Sequence, residues 1–198
     1  MSEADYIVEN HRNLLPHKQE KSSITFITWR LAFTVPAEIR SHLKEHNGEP
    51  DGYYLKYLEK DSELGSIPAP DFSLNDPDIS KIITGSLLHG SDRFYELHAY
   101  CIMSNHVHIL IRALNNADGK RFQISKIMQR IKGFTGMQIN KMRGTQGQVW
   151  DHVYFDRNIR NYDDYCRVVE YILNNPVKAG LVSHHSQWKD SYYHDYEV

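Results

Sequence analysis

Tyr100-Cys101-Ile102-Met103-Ser104-Asn105-His106-Val107-His108-Ile109-Leu110-Ile111 is the stretch on which the reading of this chain turns. Two histidines stand two apart in an apolar, β-branched run, the composition of a buried strand. Successive strand side chains point to opposite faces, so His106 and His108 emerge together while Val107 and Ile109 face the other way. Two neutral imidazoles on rigid sheet backbone are preorganised to hold a divalent ion. The chain carries 12 histidines, so chance also supplies a His-x-His, and a pair of core histidines is the plain alternative. A histidine-triad hydrolase is excluded, because Leu110 stands where its third histidine belongs.

Working outward, Arg93–Ser104 alternates through Phe94, Leu97, Ala99 and Cys101 and runs into the His-x-His strand with Met103-Ser104-Asn105 as the turn. Strands so closely joined are antiparallel neighbours. Ser23–Leu31 reads as the first strand, with one wet face. Helices are expected over about 36–46, after Pro36, over Tyr53–Glu63, and over Asp78–His89 with Gly90 as its stop. Phe122–Met142 is a long helix whose Ile124, Ile127, Met128, Ile131 and Phe134 form one stripe. Lys126, Arg130 and Lys132 fall off that stripe, either as a solvated surface or as a track for phosphates. Trp150–Ile159 reads as irregular or a short strand. Trp150 could stack on bases, with Arg157 and Arg160 beside it on phosphates, or the aromatics could simply cover the end of the core. Tyr162–Asn175 is an amphipathic helix that Pro176 stops. Tyr171 and Asn175, four apart, share one side of it.

At 198 residues the chain suits one domain with a substantial core. Residues 1–22 read as a polar N-terminal arm, 23–188 as the domain, 35–92 within it as an acidic, helical, insertion-like region, and 189–198 as a tail. No stretch is apolar enough to span a membrane, and the acidic start Met1-Ser2-Glu3-Ala4-Asp5 lacks the layout of a secretory signal, so a cytoplasmic location without a membrane partner is expected. Cys101 and Cys166 read as two buried, reduced thiols. The net charge of −2 conceals a split: residues 35–100 carry 6 Lys and Arg against 12 Asp and Glu, and residues 101–180 carry 12 against 6. A basic segment around the histidines suits a phosphate backbone, as it also suits solvated helix faces.

Met-Ser-Asn-His106-Val107-His108, followed by the helix Val-Glu-Tyr171-Ile-Leu-Asn-Asn175-Pro-Val-Lys-Ala-Gly, resembles the single-tyrosine HUH transposases, and among them most the REP-associated tyrosine transposases. The resemblance covers about residues 23–188, with Ser104 where these proteins often carry proline. It implies an α+β domain with a central antiparallel sheet and helices packed mainly on one face, like the ferredoxin-like palm of HUH nucleases. It further implies Mg²⁺ or Mn²⁺ held by His106, His108 and Asn175, with Tyr171 as the nucleophile. The expected activity is metal-dependent cleavage and strand transfer of single-stranded DNA through a 5′-phosphotyrosine intermediate, as in DNA transposition. The alternative is a domesticated protein that binds hairpin or repeat DNA without cutting it. A phosphodiesterase of small nucleotides is a third reading. The expected partner is single-stranded or hairpin DNA, with monomer and homodimer equally allowed.

Overall fold

The structure, a computed structural model, describes residues 6–9, 17–20, 24–32, 34 and 72–194. The helices expected over 36–46 and 53–63 lie outside them. Two short strands, β1 (Tyr6–Glu9) and β2 (His17–Glu20), pair antiparallel within the segment read as an arm. Four-residue strands are too short to show a period in sequence.

Five strands form the main sheet. They are β3 (Ile24–Arg30), β4 (Tyr95–Ile102), β5 (His106–Ala113), β6 (Phe155–Asn158) and β7 (Ser191–Tyr193). Their spatial order is β6-β3-β5-β4-β7, with every neighbour antiparallel. The His-x-His strand is therefore the central one, flanked on both edges by paired backbone. The β4–β5 turn is closed by the Met103 N–H donating to the His106 carbonyl at 2.9 Å.

Period-two alternation divides the sheet's side chains between two cores. On one face Ile27, Trp29, Val107, Ile109 and Ile111 pack under α1 (Pro77–Gly90) and α2 (Ile124–Arg143). On the opposite face Phe26, Ala99, Cys101 and Leu110 pack under α3 (Tyr162–Lys178). Two of the three described α-helices thus share a face, and the third covers the other.

Each helix is set by local chemistry. Helix α1 opens with Asp76 accepting from the Asp78 N–H at 3.0 Å and Pro77 in the first turn, and it buries Ile79, Ile83 and Leu87 at intervals of four. Its last residue is glycine for steric reasons: a Cβ at Gly90 would lie 2.5 Å from the Tyr95 hydroxyl, and Tyr95 is fixed by donating to the Leu87 carbonyl at 2.8 Å. Helix α3 opens with Asn161 accepting from the Asp164 N–H at 2.9 Å. It does not stop at Pro176 but runs through it to Lys178. Pro176 forfeits one helical N–H late in the element, where few turns remain to be disturbed. The chain leaves the helix at Gly180, whose φ of 69° lets the last carbonyls bond back. The two thiols also differ: Cys101 is buried in the sheet, whereas Cys166 is exposed, on the side of α3 away from Tyr165, Val168 and Val169.

Candidate active site

The site lies between the central strand and α3. His106 and His108 are fully buried on the α3 face, their ring centroids 4.6 Å apart. The β3–β5 register sets Thr28 opposite His108 and Arg30 opposite His106. Alternation turns Phe26, Thr28 and Arg30 to the same face as the histidines, and Arg30 is itself buried there. The Thr28 Oγ1 lies 2.7 Å from His108 Nδ1, and Phe26 stacks on the His108 ring at 5.7 Å. Asn105, at the strand's start, places Oδ1 2.6 Å from His106 Nδ1. With each Nδ1 engaged, Nε2 is the nitrogen with which each ring can serve as a ligand.

Helix α3 lays Tyr171 across this group. Its ring lies edge-on to His108 at 5.5 Å and to Phe26 at 6.0 Å. One turn on, the Asn175 amide donates from Nδ2 to the Tyr171 carbonyl at 2.9 Å, which leaves Oδ1 as the oxygen a cation would take. Two turns on, the Lys178 ammonium stands 4.8 Å from the centre of the Tyr171 ring. Tyr171 is 7% exposed and Asn175 5%, so sheet and helix close over the group together.

The donor set fits a divalent ion. Two imidazole nitrogens and an amide oxygen supply three neutral donors and leave places for phosphate oxygens and water. No cluster of three or more His, Cys, Asp or Glu occurs among the described residues, so charge compensation at such an ion would come from the ligand rather than the protein.

The residues expected on nucleic acid are not one surface. Lys126 and Arg130 are exposed along the first half of α2, where Arg130 lies 4.5 Å from the Phe94 ring. Together with Lys120 and Arg121 they border a basic hollow beside the 115–121 loop. Lys132 is tied to the protein: its ammonium donates to the carbonyls of His152 and Val153 at 3.1 and 3.4 Å, and burial pulls its pKa down to about 8. Trp150 is a core residue, 5% exposed, with its indole N–H donating to Thr135 at 2.9 Å and its ring edge-on to Trp29. It is not presented to a base. Its bridge to Leu31 across the end of β3 is what draws it inward, and the sequence of an aromatic segment does not show which neighbour will claim the ring. Arg157 forms two hydrogen bonds to the Asp164 carboxylate, at 2.8 and 2.9 Å, and is a clamp between β6 and α3 rather than an open cation. Arg160 remains half exposed, its Nε 3.6 Å from Asp164.

The sequence points to His106, His108, Tyr171 and Asn175 but not to Phe26, Thr28, Arg30, Asn105 and Lys178 as members of this group. Lys178 was within reach, since seven residues on a helix return to the same side as Tyr171. The β3 residues depend on a register that no local pattern specifies.

Comparisons with known proteins bear on the fold and on the stretch of chain that carries this group. The sequence family described as transposase IS200 like matches residues 87–175, from the end of α1 through Asn175. A putative REP-associated tyrosine transposase of Haemophilus influenzae is 26% identical over 105 residues, covering 50% of this chain and 60% of that protein. The REP-associated tyrosine transposase of Escherichia coli K12 is 27% identical over 103 residues, covering 52% and 57%. The chain thus spans less than two thirds of either relative. Among solved structures, the REP-associated tyrosine transposase bound to a REP hairpin shares the fold with a TM-score of 0.56 at 20% identity, over 93% of this chain and 82% of that one. The α+β architecture with its five-stranded antiparallel sheet is therefore shared with that solved structure.

Proposed function

We propose, on the premise that this chain resembles the REP-associated tyrosine transposases, that it cleaves and rejoins single-stranded DNA with Tyr171 as nucleophile. The observation that carries the reading is the edge-on contact of Tyr171 with the His108 ring of a buried histidine pair, with Asn175 one turn away on the same helix.

A phenol with an ordinary pKa near 10 attacks poorly until it loses its proton and until charge on the phosphoryl oxygens is balanced. His106, His108 and Asn175 would hold Mg²⁺ or Mn²⁺, which when bound supplies that charge balance at the phosphate. The chain's own residues do the rest. Phe26 and His108 fix the ring of Tyr171, so its hydroxyl is aimed before the substrate arrives. The Tyr171 oxygen gives up its proton and bonds to phosphorus, and the bond from phosphorus to the 3′ oxygen of the upstream strand breaks. That oxygen takes up a proton and leaves as a hydroxyl. The downstream strand stays joined to Tyr171 through its 5′ phosphate, and an incoming 3′ hydroxyl reverses the exchange without a high-energy cofactor. Lys126, Arg130 and Arg160 remain as exposed cations for the DNA backbone.

One observation favours the binding-only reading. The histidines are fully buried and Tyr171 nearly so, which means that a phosphate reaches them only when the side chains covering the group give way. A chain that kept the group covered would bind hairpin DNA and leave it intact.

Labelled single-stranded DNA carrying a hairpin, incubated with the protein and Mn²⁺ and run on a denaturing gel beside Tyr171→Phe, separates the two. We expect a covalent adduct on the 5′ end of the downstream fragment for the wild-type chain and none for Y171F. Tight hairpin binding with no adduct at any metal or flank would establish the binder instead.

A further inference from the structure

The two histidines are held by different chemistry, and the difference decides which nitrogen of each carries the proton. We propose that Asn105 locks His106 into the Nδ1–H tautomer, so that its Nε2 lone pair faces the site before any ion arrives. Asn105 is thereby a positioning residue acting through His106, an inference that rests on the reading of His106 as a metal ligand.

The argument begins with the contact itself. Asn105 Oδ1 stands 2.6 Å from His106 Nδ1, and both side chains are fully buried. An amide oxygen has lone pairs and no proton to give, so the proton between the two atoms belongs to the imidazole. A neutral imidazole carries only one N–H. With that proton on Nδ1, Nε2 holds the lone pair, which is the form a metal ion requires.

The backbone of Asn105 is held independently of that contact. Its main-chain carbonyl accepts from the Leu31 N–H at 2.9 Å, which ties the β4–β5 turn to the end of β3. The turn's other bond, Met103 N–H to the His106 carbonyl, holds the first residue of β5 in place. Between these anchors the Asn105 side chain is adjacent to the His106 ring and closed off from water, which would otherwise compete for Nδ1.

His108 provides the contrast. Its Nδ1 meets the Thr28 hydroxyl at 2.7 Å, and a hydroxyl both gives and takes hydrogen bonds. That contact is satisfied with either nitrogen of His108 protonated, so it orients the ring without choosing the tautomer. Of the pair, His106 is the ligand fixed in advance, and His108 the one that adjusts.

The test reads the proton directly. In the ¹⁵N-labelled full chain without metal, at alkaline pH where imidazole is neutral, long-range ¹H–¹⁵N spectra report which ring nitrogen is protonated. His106 is expected as Nδ1–H. Asn105→Ala should release it toward Nε2–H and weaken Mn²⁺ binding, followed by the free-ion electron paramagnetic resonance signal, by about tenfold or more. Asn105→Asp retains an acceptor at the same place and should retain both the tautomer and the affinity. The proposal is overturned if His106 of the wild-type chain is Nε2–H, or if Asn105→Ala leaves tautomer and affinity unchanged. Should Asn105→Ala fail to fold, the wild-type spectrum and Asn105→Asp still decide it. A wild-type Nδ1–H tautomer in a chain that binds no Mn²⁺ would uphold the lock and overturn the metal reading, so the two fail separately.

Discussion

Lys178 places a positive charge 4.8 Å from the centre of the ring whose oxygen is proposed to attack DNA. The charge is exposed and therefore partly screened, but its interaction strengthens as negative charge gathers on the phenol oxygen. Replacing it by methionine keeps the stem over the ring and removes the cation. We expect Lys178→Met to slow adduct formation about two- to fivefold at saturating DNA, as follows from about 0.5–1 kcal/mol for an exposed cation–π contact. Single-turnover rates at saturating DNA measure this apart from any loss of DNA affinity. At this scale the sequence was legible where one element carries the chemistry. His106 and His108 follow from a period of two and Tyr171 with Asn175 from a period near four. Thr28 and Phe26 reach the same site from a strand about eighty residues earlier in the chain, through the pairing of Thr28 with His108. Trp150 was ambiguous because an indole serves a core and a base equally well until its N–H partner, here Thr135, is known.

Helix α3 is the element that brings the nucleophile to the strand, and Arg157 holds its first turn. The Arg157–Asp164 pair is 12% and 4% exposed at the side chains and makes two hydrogen bonds, so removing one partner strands a buried charge. Arg157→Met is expected to cost about 3 kcal/mol of stability, measured by urea unfolding, whereas the same change at the half-exposed Arg160 should cost less than about 1 kcal/mol. A loss of DNA affinity in Arg157→Met with unaltered stability would instead make Arg157 a direct DNA contact. The helix's existence and apolar face were plain from Tyr165, Val168, Val169 and Ile172. Its end was not, because Pro176 is the stronger local stop signal and Gly180 the one the chain uses. The limits of helix α2 are nearly legible in the sequence, since its stripe is long and Gly144, at φ 65°, closes it in the usual left-handed conformation.

For the whole molecule, pH acts on the seam between sheet and α3. His98 is fully buried, its Nδ1 3.1 Å from the Tyr165 hydroxyl on α3, and burial, with the nearby Arg112 and His194 charges, pulls its pKa down to about 4. In the unfolded chain a histidine titrates near 6.5, so as pH falls below about 6.5 the unfolded state takes up a proton that the folded state refuses. Stability should drop by about 2–3 kcal/mol between pH 6.5 and 4 and then level off for this group. Burial alone would raise the Asp164 carboxyl, but hydrogen bonds from Arg157 and the Arg160 N–H bring it below the usual carboxylate range. Its contribution is complete above the unfolded carboxylate range and is lost as pH falls through the lower folded value, so it fails after His98. Urea midpoints across pH 4–7 test this, and His98→Gln, which keeps a partner for Tyr165, should flatten the upper part of the curve. The sheet's order and its two-faced packing were legible only in outline. Antiparallel neighbours followed from the short β4–β5 turn, while the place of β6 beside β3 rests on pairing between distant segments. His98 also stands at the one shift of register between β4 and β5, where Leu97 faces Ile111 and Ala99 faces Leu110. The strand therefore carries a spare residue. Losing a residue of β4 away from this irregularity would turn part of the strand inside out, but losing His98 would leave Leu97 and Ala99 as ordinary neighbours with their partners unchanged. In genetic terms, a frame-preserving deletion is tolerable to the sheet at this codon, and what the chain keeps by retaining it is the fastening of α3.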